Sequence, residues 1–155
     1  KIENIAVSSK SGETELRIPI RDIKASFDHE EKYKLGTATI HKMNNLENEK
    51  FETIEAIKTI SLDDYKFKHQ IGFLKIDVEG HELDILRGAK KFITQNMPTM
   101  LIEIEERHSG IQPHIAINEI EQLGYKCFFV DDNFALQATK NSKDLKHNNF
   151  IFIPD

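Results

Sequence analysis

The stretch Ile71–Ala89, IGFLKIDVEGHELDILRGA, constrains the fold more than any other part of this chain. It predicts a buried strand over Phe73–Val78, a tight turn at Glu79-Gly80 and a helix from about His81. Within that helix Ile85, Leu86, Ala89, Phe92 and Ile93 recur at helical spacing, so one apolar stripe can pack on a sheet. The strand departs from the usual pattern. A parallel strand covered on both faces reads as a continuous apolar run. Here Leu74, Ile76 and Val78 keep one face apolar while Lys75, Asp77 and Glu79 alternate onto the other. Buried charges are costly unless paired or used. The plain structural alternative is a Lys75–carboxylate pair plus a capping acid for the next helix.

The same signature returns downstream. Pro98 ends the helical region, and Thr99–Glu105 (TMLIEIE) predicts a second buried strand, with Met100, Ile102 and Ile104 on one face and Glu103 and Glu105 on the other. Pro113–Leu123 has the apolar spacing of a helix, closed by Gly124. Tyr125–Val130 predicts a third strand, and Asn149–Ile153 a fourth that finishes the chain. Strand, helix, strand, helix, strand and a last strand without a helix describe an α/β sheet, parallel in its core, with an antiparallel edge hairpin at the carboxyl terminus. Ligands bind such sheets beyond the carboxyl ends of the strands. Parallel placement brings Asp77, Glu79, Glu103 and His108 toward one crevice. Alternate residues of a strand lie about 6.6 Å apart, so Asp77 and Glu79 can both line it.

Upstream of this core, Ile2–Val7 predicts a short strand ending at Ser8-Ser9, and Ser11-Gly12 a turn. Glu13–Ile18 alternates as a half-exposed antiparallel strand closed by Pro19, and Phe51–Ile60 predicts another strand. Ser61-Leu62-Asp63-Asp64 resembles a cap before a short helical turn. Residues 13–60 therefore stand as inserted strands. The charged run Asp28–Lys32 and the GTATIHK segment from Gly36 to Lys42 read as a solvated loop or as a lid, since long loops in compact domains are often functional.

The 155 residues suit one domain with a real core, 39% hydrophobic and 30% charged. Acidic residues outnumber Lys and Arg by 26 to 21, which advertises no nucleic-acid partner. No apolar run approaches the ~18 residues of a membrane span, and no signal-peptide pattern opens the chain. Cys127 lies in an apolar strand and reads as a small buried hydrophobe; a cytoplasmic setting is the expectation. The seven histidines form no ligand motif and are expected mostly at the surface.

FLKIDVEGHELDILRGA, with NIAVSS upstream, GTATIHK, SLDDY before the strand and LIEIE after it, resembles the FkbM-type methyltransferases. The resemblance covers most of the chain. It implies a Rossmann-like class I fold, S-adenosylmethionine as cofactor and methyl transfer to a hydroxyl of a sugar or natural-product acceptor. An attacking hydroxyl must lose its proton to a carboxylate, an imidazole or water on a divalent cation such as Mg²⁺. On this resemblance Asp77, then Glu79, then His81 are the base or its support. Lys75, Gly80 and Glu103 face the acceptor, with Gly80 letting the turn approach a ligand closely. Asn4, Ala6 and Val7 lie nearest the cofactor adenine. The family's glycine-rich turn has no counterpart here, because the chain contains no G-x-G. Aligned so, the chain is expected to be the carboxyl-terminal part of such an enzyme, lacking most of the cofactor site and exposing one side of its sheet to self-association. Two other readings stay open: a non-catalytic binding or dimerisation module, and a different metal-assisted enzyme using Asp77, Glu79 and Glu103.

Overall fold

The structure, a computed structural model, describes residues 1–20, 37–41, 50–139 and 147–155. The expected charged loop at Asp28–Lys32 lies outside the described residues, as do Gly36 and Lys42. Two sheets organise the rest. In the first, β1 (Ala6–Val7) pairs in parallel with β3 (Lys50–Ile60), and β2 (Gly12–Ile20) pairs antiparallel with β3 on its other side. The β2·β3 register slips between Thr14 and Leu16, opposite Ile57 and Ile54, so β3 carries one extra residue. Ala56 absorbs it at φ 57°. Pro19 does not close its strand as expected. It sits inside β2 opposite Phe51, tolerated because β2 is an edge and needs no donor there.

The second sheet runs β4 (Phe73–Ile76), β5 (Thr99–Glu103), β8 (Asn149–Pro154), β6 (Tyr125–Val130), β7 (Leu136–Ala138). Only β4·β5 is a hydrogen-bonded parallel pair within it, Phe73↔Thr99 through Ile76↔Ile102. The expected parallel core is met by β4·β5, and the expected place of the last strand in an edge hairpin is corrected. The last strand is not at the edge but third of five, antiparallel to β5 (Met100↔Phe152) and to β6 (Cys127↔Phe152). The reason is burial: Phe150 and Phe152 are both 0% exposed, and only an interior strand hides two such rings. The edge beyond β6 is β7, wholly exposed, whose three residues LQA are too few to announce a strand.

Among the described residues four helices follow strands of the second sheet: α1 (Glu82–Arg87), α2 (Lys90–Asn96), α3 (Glu106–Ser109) and α4 (Pro113–Glu121). Ile76, Met100, Ile102, Phe150, Phe152 and Cys127 from the sheet share one core cluster with Ile85, Leu86, Phe92, Ile93, Ile117 and Ile120 from the helices. The sheet's opposite face is open, with Phe73 57% exposed. One continuous helix was the expectation from His81 to Ile93, but it breaks at Gly88-Ala89. The Gly88 carbonyl accepts the Asp63 N–H (2.9 Å) and Asp63 Oδ1 accepts the Phe92 N–H (2.8 Å), so Asp63 staples the break. Gly88 also packs against the chain after β1, where a Cβ would fall 2.5 Å from the Ser8 carbonyl oxygen. That contact draws β1 onto α1 and sets up the site.

Candidate functional site

A cavity of about 450 Å³ opens where the end of β1, the segment 37–41 and the carboxyl end of β4 meet. Ala6 and Val7 form part of its apolar wall, and Lys75, Asp77, Glu79 and His81 its polar wall. Three sequence candidates lie elsewhere. Asn4 is exposed outside it. Gly80 is buried behind the wall, its φ of 86° letting the turn approach the backbone of His108 rather than a ligand. Glu103 sits beside Asp77, one step past the Ile76↔Ile102 pair, and lines a small adjoining cavity with Glu79, Glu82 and His108.

Parallel pairing puts Asp77 and Glu103 on the same sheet face, their carboxyls close enough to act on each other's protonation. Two carboxyls in that contact share a proton. Lys75 Nζ donates to Asp77 Oδ2 at 2.6 Å and, with Glu103, holds the Asp77 carboxyl below its ordinary range. Glu103 moves the other way: burial first, then Asp77, pushes it up to about 7. The pair thus combines a fixed negative charge with a group that titrates near neutrality, the property a general base needs.

His81 is held from both sides. Its Nε2 is 2.9 Å from Ser8 Oγ, and its Nδ1 lies 3.4 Å from Asp84 Oδ2, near enough for charge attraction but without a hydrogen bond. Burial lowers its pKa against the opposing pull of Asp84. The neutral ring with hydrogen on Nδ1, facing Asp84, leaves Nε2 to accept the Ser8 hydroxyl. His81 is therefore placed to support the site, with both ring nitrogens turned to protein groups. The edge of the His41 ring abuts it at 6.0 Å between centroids.

Thr39 fastens the 37–41 segment over this wall. It is 3% exposed, its hydroxyl donates to the Glu79 carbonyl (2.7 Å) and accepts the His41 N–H (3.0 Å), and its backbone bridges Arg17 of β2. Across the turn, His108 Nδ1 lies 3.0 Å from Glu79 Oε2 and its Nε2 2.9 Å from Glu105 Oε2. The Nδ1 contact is a charge contact rather than an aligned hydrogen bond. His81 and His108, both expected near the crevice, are drawn in around the carboxylates, and His41, for which no site place was expected, joins them. Sequence reasoning missed Ser8, Thr39, Glu82 and Asp84. All four lay in segments already singled out, Ser8 in NIAVSS, Thr39 in GTATIHK and Glu82 and Asp84 within Ile71–Ala89, but no role was read for them.

Glu82 has a structural part. It is 3% exposed and accepts the Gly80 N–H at 3.0 Å, and burial pushes its carboxyl up from 4.5 to about 7. Between those two values the folded chain keeps a proton that the unfolded chain has lost, so stability falls as pH rises through that window. Glu103 adds to the same fall, whereas the lowered Asp77 acts only in a window below 3.8. The thermal midpoint is expected to drop between about pH 4.5 and about pH 7. Glu82→Gln keeps the acceptor oxygen and should flatten that drop; an unchanged slope would show that Glu82 does not cause it.

Among the described residues no three His, Cys, Asp or Glu side chains are grouped to hold a metal ion, and Mg²⁺ is not carried further. No helix among them is long and apolar enough to cross a membrane. The sequence pattern of the Methyltransferase FkbM domain matches residues 3–127. No curated protein matches the chain. The crystal structure of methyltransferase FkbM from Methylobacillus flagellatus KT is similar over 63% of this chain, at 21% identity and a TM-score of 0.43. The chain spans 23% of that protein's length.

Proposed function

The chain belongs to the FkbM methyltransferase family, and from that premise we propose that it forms the acceptor side of an S-adenosylmethionine-dependent O-methyltransferase acting on a hydroxyl of a sugar or natural product. The observation that carries this reading is the convergence of β1 and the carboxyl end of β4 on one cavity walled by Asp77, Glu79 and His81. β4, β5 and β6 point one way with β8 reversed between β5 and β6, and on this reading they are the second half of a Rossmann-like sheet.

The donor set fits a ligand apolar at one end and cationic at the other. Ile5, Ala6 and Val7 offer an apolar wall to a flat ring, and Asp77 and Glu79 offer negative charge opposite it. When bound, S-adenosylmethionine supplies an electrophilic methyl group on a positively charged sulfur. The chain's own residues manage the proton. The acceptor hydroxyl gives its proton to the Asp77 carboxylate as its oxygen attacks, and the proton passes on to Glu103, the member of the pair whose raised carboxyl can keep it. Lys75 aims Asp77, His108 holds Glu79, and Thr39 keeps the 37–41 segment against the Glu79 turn. The setting in this reading is cytoplasmic, with a small-molecule or carbohydrate acceptor as partner.

Titration of S-adenosylmethionine into the ¹⁵N-labelled chain tests the reading. The backbone signals of Val7, Asp77, Glu79 and His81 should shift together, with a dissociation constant on the order of 0.1–1 mM because few polar groups grip the ligand. Shifts confined to other parts of the chain, or none at all, would reject it.

A further inference from the structure

A second cavity of about 310 Å³ lies between the 61–71 segment and α2, and Leu62 is a wall common to both cavities. Its width is fixed at both ends. At one, Asp63 Oδ1 accepts the Phe92 N–H. At the other, Asn96 Oδ1 accepts the Ile71 N–H (3.1 Å) while its Nδ2 donates to the Phe92 carbonyl (2.9 Å). The groove is therefore preformed, as small-molecule sites usually are. Its size suits one six-membered ring with its substituents.

The lining has two kinds of group. Phe67 rests on Phe92 (4.8 Å between centroids) and on Tyr65 (4.7 Å), which fixes its plane and leaves it 37% exposed. Around it stand His69, Gln70, Lys91 and Gln95, none of whose side chains hydrogen-bonds within the described residues. Side-chain amides both donate and accept, and so match hydroxyl groups, which do the same. An anion is disfavoured, because Asp63 also lines the groove and Lys91 already acts on the Asp64 carboxyl.

We propose that this groove is a binding subsite for a neutral polyhydroxylated ring, a pyranose unit whose apolar face stacks on Phe67 and whose hydroxyls meet Gln70 and Gln95. The site is separate from the methyl-transfer cavity and stands whether or not that cavity transfers a methyl group. An exposed aromatic platform with few polar partners gives weak binding, with a dissociation constant of about 1–10 mM.

The test titrates methyl α-D-glucopyranoside and methyl β-D-galactopyranoside into the labelled chain. Signals of Phe67, Gln70 and Gln95 should shift, and saturation of the Phe67 ring should transfer to the sugar. Phe67→Leu keeps the contact with Phe92 but loses the flat ring, and Gln95→Ala removes an exposed amide without touching the core. Each should weaken binding by roughly fivefold or more. Three results would overturn the proposal: no shift at these residues with either sugar, shifts with inorganic phosphate instead, or unchanged affinity in both variants.

Discussion

Gly80→Ala should cost about 3 kcal/mol of stability or more, two separate penalties acting at one atom. Gly80 sits at φ 86°, where a side chain meets its own backbone, and that part alone is worth about 1–2 kcal/mol. A Cβ there would also lie 2.6 Å from the His108 carbonyl oxygen and 2.7 Å from its carbon. Those are backbone atoms and cannot rotate aside, so α3 would have to move, taking His108 off Glu79. Against a total stability of roughly 5–15 kcal/mol for a domain of this kind, the loss is large. Gly110→Ala separates the two penalties. Gly110 has φ 69° but nothing within 4 Å of its Cβ position, so it should lose only the conformational part. Urea denaturation of the three proteins measures both. If Gly80→Ala lost no more than Gly110→Ala, the packing of α3 on the turn would not be what holds Glu79.

The organising stretch was legible because its two periodicities are local properties. The alternation Leu74, Ile76, Val78 against Lys75, Asp77, Glu79 placed the charged face correctly, and Ile76 is buried while Lys75 and Asp77 are exposed. The helix break was not legible, since it depends on Asp63, some 25 residues upstream, capturing the Gly88 carbonyl and the Phe92 N–H. The place of β8 was hidden for a similar reason. NFIFI announces a strand, but nothing in five residues states that it will enter between β5 and β6 rather than pair at an edge.

At the site, the residues carried by one strand and its turn were readable: Lys75, Asp77, Glu79 and His81 lie within seven positions and line one cavity. Their partners come from far along the chain. Ser8 reaches His81 across 73 positions and Thr39 reaches Glu79 across 40. A hydroxyl in a loop has no periodicity to betray it. The place of Glu103 beside Asp77 was readable from the second charged strand. Its rise to about 7 was not, because it comes from burial and from Asp77 across the strand pair. Asn4 is exposed ahead of β1, which is shorter than its apolar pattern and starts only at Ala6.

In the proposed reaction the Asp77–Glu103 pair takes the acceptor proton. Asp77→Asn removes the negative charge and the shared proton while preserving the shape that Lys75 and Glu103 meet. With no carboxylate at that position, Glu103 loses the neighbour that helps to raise it and drifts back toward an ordinary acid, a weaker base. Loss of a positioned base costs roughly 10²-fold in turnover or more. The direct measurement is transfer of a labelled methyl group from S-adenosylmethionine to hydroxyl acceptors by the native protein and by Asp77→Asn, both shown to be folded by urea denaturation. The account predicts a drop of about 10² in kcat with little change in acceptor KM. Turnover of Asp77→Asn within about twofold of native would contradict it, and would leave Asp77 as the surface partner of Lys75.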